Sequence, residues 1–218
     1  MKKSVYSLVL SDAVVAEVDR LAYRNNTNRS QMINEILAEY VSYVTPEQRI
    51  REAFGRVSAL LGEVGAIQPV SAPSDTLLSL RSALLYKYNP TVRYSLELYR
   101  APDTGIGELR VSMRTQNSEL IARMVRFYRM WDAVETAHIG SVKSHAQEGK
   151  YVRLLCPCAL HGGEVPKDPE RMGELIAAYI RTLDRSMKRF FSENEDPAAA
   201  QADISRAYEE FLAGGYAL

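Results

Sequence analysis

The sequence predicts an α+β protein: a small strand-helix-helix module that needs a second copy of itself, then a larger domain whose helices pack beside an antiparallel sheet. Three observations predict it. A short apolar strand at residues 5–10 is followed by two helical patterns and no second strand. Residues 91–99 and 107–114 each alternate apolar and polar side chains, as half-buried antiparallel strands do. Long apolar stripes at helical spacing begin at Ser118 and behind Asp168-Pro169, which segregates helices beside the sheet.

The chain of 218 residues exceeds a typical single domain, and the division expected is 1–44, the small strand-helix-helix module; 45–74, a connector helix and linker; and 75–218, the larger α+β domain. Hydrophobic residues make up 46% and charged residues 25%, which excludes a disordered or fibrous chain. No apolar run reaches the roughly 18 residues that span a bilayer, and the stretch behind Met1-Lys2-Lys3 is too short for a secretory signal. Cys156 and Cys158 sit too close together for an unstrained mutual disulfide. A cytoplasmic, reduced setting without membrane contact is therefore expected. Formal net charge is +0, which argues against a strong nonspecific polyanion binder.

In the first module, Tyr6, Leu8 and Leu10 share one face of the strand, and Lys3, Val5, Ser7 and Val9 share the other. A lone strand is no sheet, so its expected partner is its own copy. Ser11 and Asp12 start a helix over 12–24 with Val14, Val18, Leu21 and Ala22 at helical spacing. Asn25-Asn26 ends it, and Asn28 caps a second helix with Gln31 three residues on. The stripe Met32, Ile33, Ile36, Leu37, Tyr40, Val41 is wider than one strand and one helix can cover. An intertwined homodimer follows.

These residues resemble the Arc/MetJ/CopG class of ribbon-helix-helix repressors. The resemblance covers residues 4–44 and rests on the strand running into Leu10-Ser11-Asp12, and on Asn28-Arg29-Ser30-Gln31-Met32-Ile33 at the second helix entry. Asn26 stands where many members carry glycine. The resemblance implies that Lys3, Val5, Ser7 and Val9 face base edges in the major groove of double-stranded DNA, while Asn28, Arg29 and Ser30 hold a phosphate. The chemistry suits those roles: a helix N-terminus offers free N–H groups to a phosphate, and Ser7 can donate to or accept from a base edge. Val5 and Val9 can meet only thymine methyls, which shifts discrimination toward Lys3, Ser7 and DNA shape. The competing reading of the same ribbon is a dimerisation surface whose outer face meets another protein.

Thr45-Pro46-Glu47-Gln48 is a helix start. Behind it, Ile50, Phe54, Val57, Leu61 and Val64 step by four and three, which fits either a dimeric seam or packing on the same domain. Residues 65–74, with Pro69 and Pro73, read as a linker. Residues 82–88 read as a third strand turning at Asn89-Pro90, although Leu77, Leu80, Leu84 and Tyr88 also permit a helix. A last helix is expected near 197–212, ending at Gly214-Gly215. Arg93, Arg110 and Arg114 could form an anion site, but a solvated sheet face paired with Glu97 and Glu108 is the reading preferred; Tyr128 and Trp131 could line a ligand pocket, with core packing preferred.

Cys156, Cys158 and His161, with His138 and His145 upstream, form the sharpest chemical cluster. Thiolates and imidazoles suit zinc, copper(I) or nickel, and nickel-responsive ribbon-helix-helix repressors give the pattern a precedent, but the spacing matches no standard zinc motif. No metal or other cofactor is assigned. Without a phosphate loop, nucleophile elbow or His-carboxylate motif, no catalytic residue is assigned either. The function expected is a sequence-specific homodimeric repressor, with the larger domain adding oligomerisation or an effector site. The alternatives are a metal-responsive repressor, or a plasmid-partition or relaxosome type of DNA-associated assembly protein.

Overall fold

The computed structural model describes residues 5–63, 65–86, 89–101, 105–156, 166, 168–192, 196–216 and 218. The chain is α+β and divides into two compact units, Met1–Arg49 and Ile50–Leu218. In the first unit, α1 (Asp12–Arg24) and α2 (Arg29–Tyr40) pack through Val18, Ala22 and Met32, flanked by Leu21, Ile33 and Ile36. Residues 5–10 carry no strand pairing, so α1 is the first regular element. This differs from the strand-first order expected from sequence, for a physical reason: a strand is defined by a neighbour's hydrogen bonds, and the single chain holds none for this segment.

In the second unit, α3 (Pro46–Gly62) contributes from Ile50 onward. It is followed by β1 (Ile67–Pro69), β2 (Leu77–Ala83), β3 (Thr91–Leu98), β4 (Gly107–Met113), α4 (Ser118–Ile139), β5 (Ser144–Gln147), β6 (Lys150–Leu155), α5 (Pro169–Ser192) and α6 (Pro197–Ala213). The strands form one sheet in the order β1-β2-β3-β4-β6-β5, antiparallel at every step. Register places Leu80, Tyr94, Val111 and Tyr151 in one row across four strands, and all are buried. The neighbouring row, Arg81, Arg93, Ser112 and Lys150, is left toward solvent. Period-two alternation thus produces one covered and one open face. Arg110 pairs with Glu97 at 3.2 Å on the open face, as the alternation of charges implied.

The helix ends follow their caps. Thr45 Oγ1 accepts from the Gln48 N–H at 3.1 Å, Asn117 Oδ1 from Leu120 at 3.1 Å, and Asp196 Oδ1 from Ala198 at 3.0 Å. Of the two readings of the α3 stripe, packing on its own unit is the one observed: Ile50, Phe54, Val57 and Leu61 sit in the same core as the sheet. α3 and α5 approach closely at Gly173, where a Cβ would stand 2.7 Å from the Arg56 Cβ and 2.9 Å from the Ala53 carbonyl oxygen.

Four strands of the second unit also depart from the sequence reading. Part of the 65–74 stretch read as linker is β1, an edge strand whose Pro69 is tolerated because an edge need not donate on its outer side. The strand placed at 82–88 runs instead over Leu77–Ala83. The hairpin β5–β6 went unpredicted; its two-residue turn is Glu148 (φ 51°) and Gly149 (φ 75°), both left-handed as a tight hairpin requires.

One polar cluster lies inside the apolar core. Arg153, 2% exposed, meets the fully buried Glu135 at 3.2 Å and donates to the Leu218 carbonyl at 2.8 Å. Tyr151 donates to Asp132 at 2.7 Å, and Trp131 Nε1 donates to the Tyr179 hydroxyl at 3.0 Å. Burial pushes the Glu135 carboxyl above its ordinary value while Arg153 draws it back. Among the described residues no helix is long and apolar enough to cross a membrane.

Candidate nucleic-acid interface

The first unit is short of things to bury its side chains against. Among the described residues, twelve of the fifteen large hydrophobic side chains that are exposed lie between Val5 and Val44. Val5 and Val9 are fully open, and Tyr6, Leu8, Tyr23, Tyr40 and Val41 are each at least 60% exposed. So many open apolar side chains on one small unit are unusual for a chain without a partner. The small α1–α2 core explains the surplus, because two helices can cover only the facing stripe of each other.

Each outward strand position expected to face DNA can be placed except Lys3, which lies outside the described residues. Val5, Ser7 and Val9 are exposed on the segment ahead of α1, which carries no regular secondary structure. The turn between the helices is made by Asn26, whose φ of 51° is left-handed, a conformation asparagine reaches more readily than most non-glycine residues. Ser11 occupies the cap position of α1, yet its side chain makes no capping hydrogen bond.

The α2 entry is better built. Asn28 Oδ1 accepts from the Gln31 N–H at 2.9 Å, fixing the first turn, and the N–H groups of Arg29 and Ser30 have no acceptor within the helix. A phosphate oxygen fits such a pair of donors at a positive helix end. Replacing Asn28 with alanine is expected to remove about 1 kcal/mol of helix stability, seen as an earlier loss of α1–α2 protection in hydrogen exchange.

Arg29 was expected to lend a charge to the same site, and the structure gives it a neighbour that the sequence reading did not name. Its Nε and Nη2 donate to the two Asp19 oxygens at 2.7 and 2.6 Å, a two-point pair across the α1–α2 turn. The hydrogen bonds from Arg29 hold the Asp19 carboxyl below its ordinary value, so the pair is ionised at neutral pH. The pair is solvent-exposed on both sides, where ion pairs contribute little and are screened by salt. Asp19 therefore orients Arg29 and also competes with any phosphate for it. Its signal in the sequence was an acid on α1 facing a base at the start of α2. Asp19→Asn is expected to raise affinity for duplex DNA by about three- to tenfold at low salt, read by fluorescence anisotropy; unchanged or weaker binding would show that Arg29 needs Asp19 to be held in place.

The cysteine-histidine cluster does not assemble among the described residues, where no group of three or more metal-ligating side chains comes together. His138 Nδ1 lies 2.8 Å from the Val134 carbonyl oxygen and Nε2 3.4 Å from Glu209. His145 contacts Gln147 at 3.1 Å. Cys158 and His161 lie outside the described residues.

No family model, curated protein or solved structure matches this chain.

Proposed function

We propose that this protein is a homodimeric, sequence-specific DNA-binding protein, a transcriptional repressor, in which residues 5–10 of two copies pair into a ribbon that enters the major groove. The observation that supports this reading is the number of open apolar side chains on the first unit, several of them on the unpaired segment at residues 5–10. A second copy provides both missing things at once, a neighbouring strand and cover for Leu8, Tyr40 and Val41. DNA is favoured over a protein partner for the outer face because the N–H groups of Arg29 and Ser30 behind the Asn28 cap suit a phosphate oxygen, and the Arg29 guanidinium, oriented by Asp19, belongs to the same first turn. The resemblance of residues 4–44 to ribbon-helix-helix repressors points the same way.

The test is a footprint of the full chain across genomic DNA, including the region upstream of its own coding sequence. Protection of a short two-fold symmetric site is expected. The combined replacement Lys3→Ala, Ser7→Ala, Arg29→Ala should abolish protection while sedimentation still shows a dimer. No protected site at micromolar protein would overturn the reading, and loss of the dimer in the triple variant would mean that the named readers are structural.

A further inference from the structure

The larger unit contains a cavity that the DNA-binding reading does not use. It is about 630 Å³ and lies between α4, α5 and α6, in the size range of small-molecule sites. Its lining holds five arginines and four carboxylates, together with Phe190, Ala200, Ile204 and Ala207 as apolar wall.

The arginines divide into two sets. Arg185 is held by Glu210 at 3.0 Å, and Asp203 meets both Arg189 at 3.1 Å and Arg206 at 3.3 Å. These contacts engage three of the arginines with two carboxylates. Arg123 and Arg126, one helical turn apart on α4, have no carboxylate partner within ion-pair distance among the described residues. The Arg123 guanidinium lies 5.1 Å above the Tyr86 ring and 5.0 Å above that of Phe191. A stacked guanidinium spends its faces on the rings and keeps its N–H edge for an anion. Ser186 supplies an independent sign. It stands in the cavity wall, is 4% exposed, and its buried hydroxyl has no hydrogen-bond partner. A buried polar group in that condition calls for an explanation, and an absent ligand is one.

We propose that this cavity binds a small molecule with an apolar body and an anionic headgroup, the body against Phe190, Ala200 and Ile204 and the headgroup on the edges of Arg123 and Arg126. The inference stands apart from DNA binding and would survive its failure.

The test uses the full chain titrated with 1-anilinonaphthalene-8-sulfonate, an aromatic body carrying one anionic group, and with N-phenyl-1-naphthylamine, the same body without the charge. The sulfonate probe is expected to show one saturable site per chain, preferred over the neutral probe by about tenfold, the scale of a charge-assisted contact. Arg126→Glu, at an exposed position, should erase that preference. Ala200→Phe should fill the cavity and weaken both probes at the site. Probe adsorbed on the open surface of residues 5–44 forms a background that neither variant alters. Equal affinity for the two probes, or titrations unchanged in Arg126→Glu, would overturn the anionic headgroup. Titrations unchanged in Ala200→Phe, with its circular dichroism intact, would overturn the cavity; should that variant unfold, Ala207→Leu replaces it with the same expectation.

Discussion

If two copies pair and bind DNA as proposed, Leu8→Glu is expected to convert the dimer into a monomer and to reduce affinity for duplex DNA by at least about a hundredfold. In the proposed ribbon Leu8 belongs to the face turned inward, together with Tyr6 and Leu10; in the single chain it is 60% exposed. A carboxylate there costs little in the monomer. In the dimer it would be buried beside its own symmetry mate, and an uncompensated buried charge costs several kcal/mol, more than enough to lose two decades of association. Sedimentation velocity reads the first effect and fluorescence anisotropy the second. Val9→Ser, on the outward face, is the control: it should leave the dimer intact. A Leu8→Glu chain that sediments as wild type would show that the ribbon, or its inward face, has been misplaced.

Arg153→Ala should lower stability by about 3–5 kcal/mol, because it leaves Glu135 buried without its cation. For a unit of this size that is a fall of roughly 10 °C in the melting temperature. Glu135→Leu combined with Arg153→Met should recover most of the loss, since apolar side chains of similar volume avoid the desolvation of both charges. Thermal melts followed by circular dichroism in all three chains decide it. If the double variant is no more stable than Arg153→Ala, the contacts of Arg153 with the Leu218 carbonyl, and of Tyr151 and Tyr208 with Glu135, carry the effect rather than the ion pair. The cluster would then act as a polar network in which each member depends on the rest.

The elements most legible in the sequence were those marked by a local device. Asn28 and Thr45 fixed helix starts through side chains that bond within one turn, and β3 and β4 followed from strict alternation against a single covered face. Elements set by their neighbours were harder. β1 is three residues long and exists because β2 pairs with it. β5 and β6 lack a long apolar run, and the turn joining them begins with a glutamate in a left-handed conformation that asparagine or aspartate adopts more often. The α3 stripe fitted two destinations equally, and only tertiary packing distinguished them. At the candidate DNA surface, the cap at Asn28, whose Oδ1 accepts from the Gln31 N–H, was readable from its spacing to Gln31, whereas the Arg29–Asp19 pair spans two helices. The cavity in the larger unit was invisible to any motif, since its arginines come from three helices at irregular separations.

The two outer strands of the sheet have a bearing on how copies of this chain can meet. β1 has three residues and carries Pro69, and β5 has four. Borders this brief give an incoming strand almost nothing to zip onto. Against them, the six-residue stretch ahead of α1 is open along its whole length. The brevity of both borders guards the large sheet against edge-to-edge stacking into fibrils, so that in the proposed dimer backbone pairing between copies falls to residues 5–10 rather than to the sheet.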